Sequence, residues 1–356
     1  MRHASHCFAM NAGGAGAASR DAGHLRRPIL IAAVSLLLSI LFIPSPRAAE
    51  TPPREVRVMA YNVHNYFIEG EARGPGVTAK SLTSKNSLVA VVVKADPDIL
   101  VLEEMGGAFA FADFRRTLAA AGVDLTHWEI MTGVDPNRHL AMLLRFKPTK
   151  VEKRDDMSFG IRPSDKTLPL EYIPVQRGFL HVVVSINTYE LHIVAAHLKS
   201  KMPHPRFNQA DLRRYEAREL RRVASGILAE NPSANLVVLG DLNDDYNAEP
   251  LRVLRGFEQP SVEKLYDLRL ADDKGQVWTH WWASGDIYGR IDYTLCSKGL
   301  LPEVVFAKST VLRTQPEWTD ASDHCPLLLT IRARDAAPLD EKTLTAGFPE
   351  GVRRDE

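Results

Sequence analysis

Short apolar runs separated by polar clusters recur along most of the chain. Apolar and polar residues alternate over 56–60, which predicts a half-buried strand, whereas apolar residues over 82–95 have helical spacing. The same patterns predict further strands at 98–102, 128–131, 140–145, 179–186, 190–196, 236–239, 291–295, 304–307 and 326–331, and helices at 111–121 and 212–227. Helices interrupt some strands while other strands follow one another directly. This mixture favours two mixed sheets packed together with helices outside, over a purely parallel sheet.

The first 49 residues have a different pattern from the rest. Arg26 and Arg27 precede an apolar run over 29–43, and small residues with two prolines follow it. The order basic, apolar, small is typical of a secretory signal, and the run is shorter than the about 20 apolar residues of a membrane-spanning helix. We therefore expect export, to the periplasm or the medium, with an uncleaved anchor at 29–43 as the alternative. The folded domain would then cover 50–334, followed by a tail at 335–356.

Composition narrows the class of protein. The chain has 44 basic and 44 acidic residues, so it does not hold nucleic acid by bulk positive charge. Its three cysteines are too few for a disulfide scaffold, and they lack the spacing of a zinc site. Whether Cys296 and Cys325 form a single disulfide in an oxidising compartment stays open at this point.

Polar residues gather at the ends of the predicted strands. The clusters contain Asn62, Glu103, Glu104, His197, Asp241, Asn243, Asp323 and His324. Each cluster alone has a structural explanation, since Gly, Asp and Asn form turns. Asp292 is different, because a carboxylate inside a buried strand requires a partner. Together these coincidences predict one site that a sheet scaffold assembles from distant positions.

The residue types in these clusters indicate a class of chemistry. Carboxylate and amide oxygens suit a hard cation, so we expect Mg²⁺, with Mn²⁺ or Ca²⁺ as alternatives. Histidines beside carboxylates suit proton transfer and anion binding. The sequence has no GxSxG, GxxxxGK[ST] or HExxH motif, so nucleophilic-serine and nucleotide-switch chemistry have no support. Metal-assisted attack of water on an ester remains.

Six motifs in order carry a family resemblance. They are Tyr61-Asn62-Val63, Leu102-Glu103-Glu104, Ala196-His197-Leu198, Gly240-Asp241-Leu242-Asn243, Arg290-Ile291-Asp292-Tyr293 and Ser322-Asp323-His324. This set resembles the endonuclease/exonuclease/phosphatase superfamily, which includes DNase I-like nucleases, sphingomyelinases and inositol polyphosphate phosphatases. The resemblance covers residues 56–331. It implies an α/β fold, a four-layer α/β/β/α sandwich of two mixed β-sheets (DNase I-like).

The resemblance also implies which residues bind metal and activate water. Glu104 would be the principal metal ligand, with Asn62 beside it and Asp323 as a further carboxylate on the metal side. Asp241 would orient or deprotonate the attacking water, and Asn243 would hold a phosphate oxygen.

Other matched residues would contact the scissile phosphate. His324 would bind it, held in orientation by Asp292, and His197 would bind the phosphate or protonate the leaving group. Asn62 and Arg145 would also contact the phosphate, since Arg145 ends a strand that often closes in arginine near the site in the family. Two positions depart from the family: Glu103 replaces a common glutamine, and residue 64 is histidine where some nucleases have aspartate.

The resemblance fixes the reaction better than the substrate. A nuclease is favoured by His197 and by a basic stretch over 199–214, so nucleic acid is the expected partner. A lipid or small-molecule phosphodiesterase or phosphatase, sphingomyelinase-like or inositol-phosphatase-like, is the alternative. Trp278, Trp281 and Trp282 would then meet a membrane surface, which otherwise only an uncleaved leader would contact. A non-catalytic binding module would be expected to lack Glu104 or His324, and no protein partner is predicted.

Overall fold

The computed structural model describes residues 54–71, 74, 77–257, 263–313, 318–337 and 339. The predicted leader at 1–49 lies outside these residues, as does most of the predicted tail at 335–356. The proposed domain boundaries therefore stay predictions. Among the described residues, none of the helices is both long and apolar enough to cross a membrane.

The described residues alternate between strands and a few helices. The strands are β1 (Glu55–Tyr66), β2 (Ile99–Met105), β3 (His127–Met131), β4 (His139–Leu144), β5 (Pro148–Arg154), β6 (Ser158–Ile161), β7 (Glu171–Pro174), β8 (Phe179–Ile186), β9 (Tyr189–His197), β10 (Asn235–Asp241), β11 (Leu265–Asp267), β12 (His280–Trp282), β13 (Ile287–Gly289), β14 (Asp292–Ser297), β15 (Thr310–Val311) and β16 (Leu327–Arg332). The helices are α1 (Leu82–Ala95), α2 (Ala108–Ala120), α3 (Gln209–Glu230), α4 (Glu249–Arg255) and α5 (Trp318–Ala321).

Two six-stranded mixed sheets form the centre of the fold. The first has the order β15-β16-β1-β2-β4-β3, and the second has the order β11-β14-β10-β9-β8-β5. β1 and β2 are parallel, as are β9 and β10, whereas β4, β14 and β16 are antiparallel to their neighbours β2, β10 and β1. Two short hairpins, β6–β7 and β12–β13, lie outside these sheets.

The apolar side chains divide into three cores, and these define four layers. Because successive strand residues face opposite sides of a sheet, Val101 of β2 joins the core between the sheets, while Leu100 and Leu102 join the core that contains α1 and α2. On the other side, Leu220 of α3 packs in one core with Val238 of β10. The layers are therefore helix, sheet, sheet and helix, and the predicted α/β/β/α sandwich is confirmed.

The helix ends follow from local side-chain chemistry. Ser81 precedes α1, and its Oγ accepts a hydrogen bond from the Ser84 N–H at 3.1 Å. Asn208 precedes α3, and its Oδ1 accepts the Ala210 N–H at 2.8 Å. Both side chains satisfy backbone donors that the first helical turn leaves unpaired.

The structure corrects one predicted element and adds others. The strand predicted at 304–307 is wrong, because short 3₁₀ turns at Leu301–Glu303 and Phe306–Lys308 flank a single bridge from Val304 to Ile331. The edge strand β5 escaped prediction because four of its seven residues are charged. The open disulfide question is also answered, since Cys296 and Cys325 are free, buried thiols in the core between the sheets.

Candidate active site

The direction of each strand decides which polar clusters meet. The parallel strands β1 and β2 end at the same edge of the sandwich as β9 and β10, whereas β14 and β16 begin there. Residues after the first four strands and before the last two therefore converge. This convergence brings together eight of the nine residues predicted for the site.

Three buried residues form a row across the second sheet. Asp241 of β10 lies opposite His197 of β9 on one side and opposite Asp292 of β14 on the other. All three side chains are buried. Neighbouring strands are about 4.8 Å apart, so residues in register on one face meet side by side. Thr279 supports the row, because its Oγ1 accepts the backbone N–H groups of Ile291 and Asp292, each at 3.1 Å.

The first sheet contributes groups that face this row. Asn62 Nδ2 donates to Asp241 Oδ2 at 3.1 Å, and His324 Nδ1 lies 2.9 Å from Asp292 Oδ2. Ser322 holds this arrangement, since its Oγ donates to the Asn62 carbonyl at 2.8 Å and accepts the His324 N–H at 3.1 Å. These contacts tie the two sheets together at the site.

One carboxylate oxygen stands at the centre of the site. Asp241 Oδ2 lies 3.1 Å from Asn62 Nδ2, 3.5 Å from His197 Nε2 and 3.9 Å from His324 Nε2. Burial raises the pKa of Asp241 to about 7, the nearby Asp292 adds to this, and His324 opposes it. A carboxylate of this kind suits proton exchange near neutral pH.

The two site histidines differ in protonation. Burial lowers the pKa of His324, but Asp292 outweighs burial through charge and hydrogen bonding, so this pKa lies well above its ordinary value and the ring is cationic. Burial, followed by the charges of Arg177 and His324, lowers the pKa of His197 well below its ordinary value. His197 is therefore neutral, and its Nδ1 has no hydrogen-bond partner among the described residues.

Glu104 lies at the open edge of the site. Its Oε2 accepts the Asn65 N–H at 3.1 Å and lies 3.7 Å from Arg138 Nε, while its Oε1 lies 4.0 Å from His197 Nε2. Its backbone φ is 59°, in the left-handed region that few residues with side chains adopt. His64, Asn65 and Asn243 also have positive φ values of 45°, 59° and 56°, so unusual backbone conformations cluster here.

Asp323 lies between two further histidines. His64 Nδ1 is 3.3 Å from its Oδ1, and His280 Nε2 is 3.7 Å from its Oδ2. Burial alone would raise the pKa of Asp323, but the hydrogen bond from His280 and the charges of His324 and His64 lower it below its usual range. Asp323 is therefore a carboxylate at neutral pH.

The donor set fits a divalent cation. Asp241, Asp292 and His324 offer ligand atoms within 4.8 Å of one another, as do His280, Asp323 and His324. Glu104 belongs to neither group, but its part-exposed carboxylate faces the same space as His197. Carboxylate oxygens with imidazole nitrogens suit Mg²⁺ or Mn²⁺, and the imidazoles also suit Zn²⁺. The metal roles predicted for Asn62, Glu104 and Asp323 stay predictions.

Arg145 does not lie at the site, so its predicted contact with the phosphate is wrong. β4 is antiparallel to β2, so Leu144 pairs with Ile99 at the far end of β2 from Glu104. Arg145 therefore lies at the opposite end of the sandwich, where it forms an ion pair with Asp96. The start of β4 faces the site instead, which places Arg138 beside Glu104.

Two cationic groups at the site edge, Lys80 and Arg138, were not among the predicted site residues. Lys80 Nζ donates to the His64 carbonyl at 3.2 Å. Burial lowers the pKa of Lys80 to about 8, although Asp323 and Glu104 oppose this shift. Lys80 lies outside every matched motif, so no local signal indicated it. Arg138 precedes a predicted strand, but only the antiparallel direction of that strand in the structure places it here.

The basic stretch over 199–214 has little free charge. Arg213 is buried and pairs with Asp244 at 2.8 Å, and Lys201 pairs with Asp245 at 3.1 Å. The remaining basic side chains of this stretch are Lys199, which donates to carbonyls of Ser200 and Met202, Arg206, which pairs with Glu171, and Arg214, which pairs with Asp211. Four of these five basic side chains therefore pair with carboxylates, and Lys199 is held by backbone carbonyls. The stretch is largely structural.

Glu103, which precedes Glu104 in the chain, lies behind the site. Its side chain is fully buried, and neither carboxylate oxygen has a hydrogen-bond partner among the described residues. Burial, followed by repulsion from Asp292 and Asp241, raises its pKa well above the ordinary value, so the group is a neutral acid. Gly240 makes room for it: a Cβ there would lie 2.2 Å from the Ala196 carbonyl oxygen and 2.7 Å from Glu103 Oε1.

A sandwich of two mixed sheets with this site at one edge defines a class of phosphoester hydrolases. The chain belongs to the Endonuclease/Exonuclease/phosphatase family, since the sequence model of that family matches residues 59–324. Members of the family are hydrolases that act on phosphoester bonds and typically depend on divalent metals. A comparison with curated protein sequences found no match.

Solved structures share the fold at low sequence identity. The human Nocturnin catalytic domain with bound sulfate is 20% identical, with a TM-score of 0.51 over 79% of this chain and 95% of that chain. TDP2 from Caenorhabditis elegans is 18% identical, with a TM-score of 0.51 over 88% and 97%. The 3′ phosphatase NExo from Neisseria, bound to a product DNA hairpin, is 18% identical, with a TM-score of 0.50 over 77% and 98%.

Proposed function

We propose that this chain is an exported, divalent-metal-dependent nuclease that hydrolyses phosphodiester bonds by attack of water. The observation that carries the proposal is the arrangement around Asp241 Oδ2, which Asn62, His197 and His324 surround within 3.9 Å. This arrangement places a proton acceptor beside one cationic and one neutral imidazole. Water attack on a phosphodiester needs that combination, since it releases a proton while negative charge builds on phosphate oxygens.

Each residue has a separate task in this proposal. Asp241 accepts the proton of the attacking water, because its pKa is close to neutral. His324, oriented by Asp292, binds a phosphate oxygen as a cation. The neutral His197 donates its Nε2–H to a substrate oxygen. A divalent ion held by Glu104, Asn62 and Asp323 would stabilise the charge that develops on the phosphate.

Charge at the mouth supports a polyanionic substrate. Lys80 and Arg138 flank Glu104. Among the described residues, the carboxylates that oppose their charge are those of the site itself, Glu104 and Asp323. Cations in this position would contact phosphate groups next to the scissile one. The DNA hairpin bound to NExo gives the same substrate class for a protein of similar fold.

Export is proposed from the sequence of residues 1–49 alone. Mass spectrometry of the chain expressed in a bacterial host checks this. We expect a mature N-terminus after the apolar run at 29–43 in the secreted or periplasmic fraction. An intact N-terminus in the membrane fraction would favour the anchor.

Nicking of supercoiled plasmid tests the activity. The full chain, its His324→Ala variant and an Arg145→Ala control are incubated with plasmid in Mg²⁺ or in EDTA. We expect nicking that needs Mg²⁺, is lost in His324→Ala and is kept in Arg145→Ala, because Arg145 lies at the far end.

The absence of nicking by folded protein would contradict the DNA-nuclease proposal. Hydrolysis assays with RNA, sphingomyelin and bis(p-nitrophenyl) phosphate would then show which class of phosphoester the protein cleaves. Hydrolysis of any of them that is lost in His324→Ala would keep the site and change the substrate.

A further inference from the structure

The hairpin β12–β13 exposes large apolar side chains beside the site. Trp282, Ile287 and Tyr288 are 54%, 54% and 50% exposed. Trp282 and Ile287 are cross-strand partners and form one patch, whereas Tyr288 belongs to the other face of the hairpin. Apolar patches that soluble proteins leave in contact with water commonly bind a partner or ligand.

Backbone hydrogen bonds fix this hairpin to the site. The Trp281 N–H donates to the Asp323 carbonyl at 2.9 Å, and the Cys325 N–H donates to the Thr279 carbonyl at 2.7 Å. The His280 ring centroid lies 4.6 Å from that of His324. The hairpin is therefore held in place beside the histidine that we assign to the phosphate.

The two faces of the hairpin are different. Trp281 lies opposite Tyr288 and stacks on it, with ring centroids 6.0 Å apart and 11° between planes. Trp282 lies opposite Ile287. Since successive residues face opposite sides of a strand, Trp282 and Ile287 share the face of His280, and the Trp282 Cα lies about 7 Å beyond that of His280.

We propose that Trp282, supported by Ile287, stacks a nucleobase adjacent to the scissile phosphate, so that the preferred substrate is a single-stranded or unpaired stretch of polynucleotide. This inference rests on the proposed nuclease function. A base inside a duplex is already stacked on its neighbours, so only an unpaired or flipped base can use the platform at low cost.

The shape and charge of the hairpin favour a base over a membrane. A Cβ added at Gly285 would lie 2.6 Å from the Trp282 ring, so one edge of the ring lies on the turn while the side chain stays half-exposed. Residues 280–289 contain no Lys or Arg, and Asp286 lies at the turn. Basic residues attract protein segments to anionic lipid surfaces, and this hairpin lacks them. The phosphates of a bound strand would instead meet Lys80 and Arg138 at the site edge, so the hairpin itself needs only to stack the base.

Cleavage of matched single strands tests the proposal. One substrate is oligothymidylate, and the other has the same length and phosphate charge but carries tetrahydrofuran residues without bases. The proteins are the full chain, Trp282→Ala, Trp282→Phe and Trp128→Ala, the last a part-exposed tryptophan on the edge strand β3.

We expect Trp282→Ala to lower the ratio of kcat/KM for the base-containing over the base-free strand by about 5- to 100-fold. Trp282→Phe should recover most of this ratio, because phenylalanine keeps an aromatic face. Trp128→Ala should leave the ratio unchanged. Binding of both strands in EDTA, measured by fluorescence anisotropy, should rank the four proteins in the same order as the kcat/KM ratio does, without turnover.

An unchanged ratio in Trp282→Ala would overturn the inference, as would equal losses on both strands. So would Trp282-dependent binding to phosphatidylglycerol vesicles together with an unchanged ratio, since the patch would then be a membrane contact. A wild-type protein that hydrolyses bis(p-nitrophenyl) phosphate but cleaves no polynucleotide would instead contradict the nuclease function itself, and this inference with it.

Discussion

The two ends of the sandwich differ in how their acidic groups are arranged. At the site end, the buried carboxyls of Asp241 and Glu103 have pKa values raised by burial and by Asp292. At the opposite end, carboxylates are matched with arginines: Arg54 Nη2 lies 3.1 Å from Asp98 Oδ1, and Asp96 pairs with both Arg57 and Arg145.

This difference assigns the two ends of the fold different roles: the site end serves catalysis, and the opposite end serves stability. Crowded carboxyls cost folding free energy, and they persist where chemistry needs them. Paired charges at the opposite end satisfy one another and stabilise the sandwich modestly. Substitutions at the site end should therefore reduce activity with little loss of stability, and substitutions at the far end should do the reverse.

The largest contrast is expected in catalysis. Removing the cationic ring in His324→Ala should lower kcat/KM on bis(p-nitrophenyl) phosphate by about 100- to 1,000-fold, as is usual for a group that stabilises transition-state charge. Arg145→Ala should retain the wild-type rate. Circular dichroism checks that both variants fold. A His324→Ala variant with wild-type activity would remove the basis of the site.

Stability in EDTA should change with opposite sign at the two ends when Asp is replaced by Asn. A carboxyl with a raised folded-state pKa favours folding below its unfolded value and loses this contribution as pH rises. Since the pKa of Asp241 rises from 3.8 to about 7, stability falls over that interval. Asp241→Asn should remove this loss and be more stable than wild type near pH 7, by on the order of 2–4 kcal/mol.

Asp98→Asn is the matched substitution at the far end. It breaks the ion pair with Arg54 and weakens acceptance of the Arg57 N–H, which lies 3.0 Å from Asp98 Oδ2. This variant should be less stable than wild type at neutral pH. Urea unfolding at several pH values measures both variants. Parallel pH profiles for Asp241→Asn and wild type would contradict the buried-acid interpretation.

The same two ends show what the sequence could predict. Polar clusters at strand ends predicted Asp241, Asp292 and His324 correctly as neighbours, because side chains after parallel strands meet at one edge. Arg145 was misplaced because the resemblance carried it to the site as the end of its strand, and the antiparallel pairing of β4 with β2 puts that end far from the site. Lys80 comes from a loop, and only the three-dimensional fold brings it to the site.

Metal affinity should distinguish two adjacent glutamates. Glu104→Gln removes a charged ligand at the open edge and should weaken Mn²⁺ binding by about 10- to 100-fold or more, measured by calorimetry. Glu103→Gln replaces a neutral buried acid with a neutral amide of similar shape, so its Mn²⁺ affinity should change little. Equal losses in the two variants would mean that Glu103 also binds the ion, and the site would need to be redrawn around both carboxylates.

The smallest effect is expected from the far-end ion pairs. Arg145→Met removes a part-exposed guanidinium that pairs with Asp96 and lies 3.7 Å from Asp98. Because solvent screens such pairs, we expect a loss of about 1 kcal/mol in the free energy of unfolding at low salt. High salt should shrink the difference from wild type, since the Debye length is about 3 Å at 1 M. Urea titrations at low and high NaCl measure it. A loss that persists in high salt would show that the hydrogen bonding of the guanidinium to Asp96, and not its screened charge, stabilises this end, since methionine keeps an apolar stem of similar length.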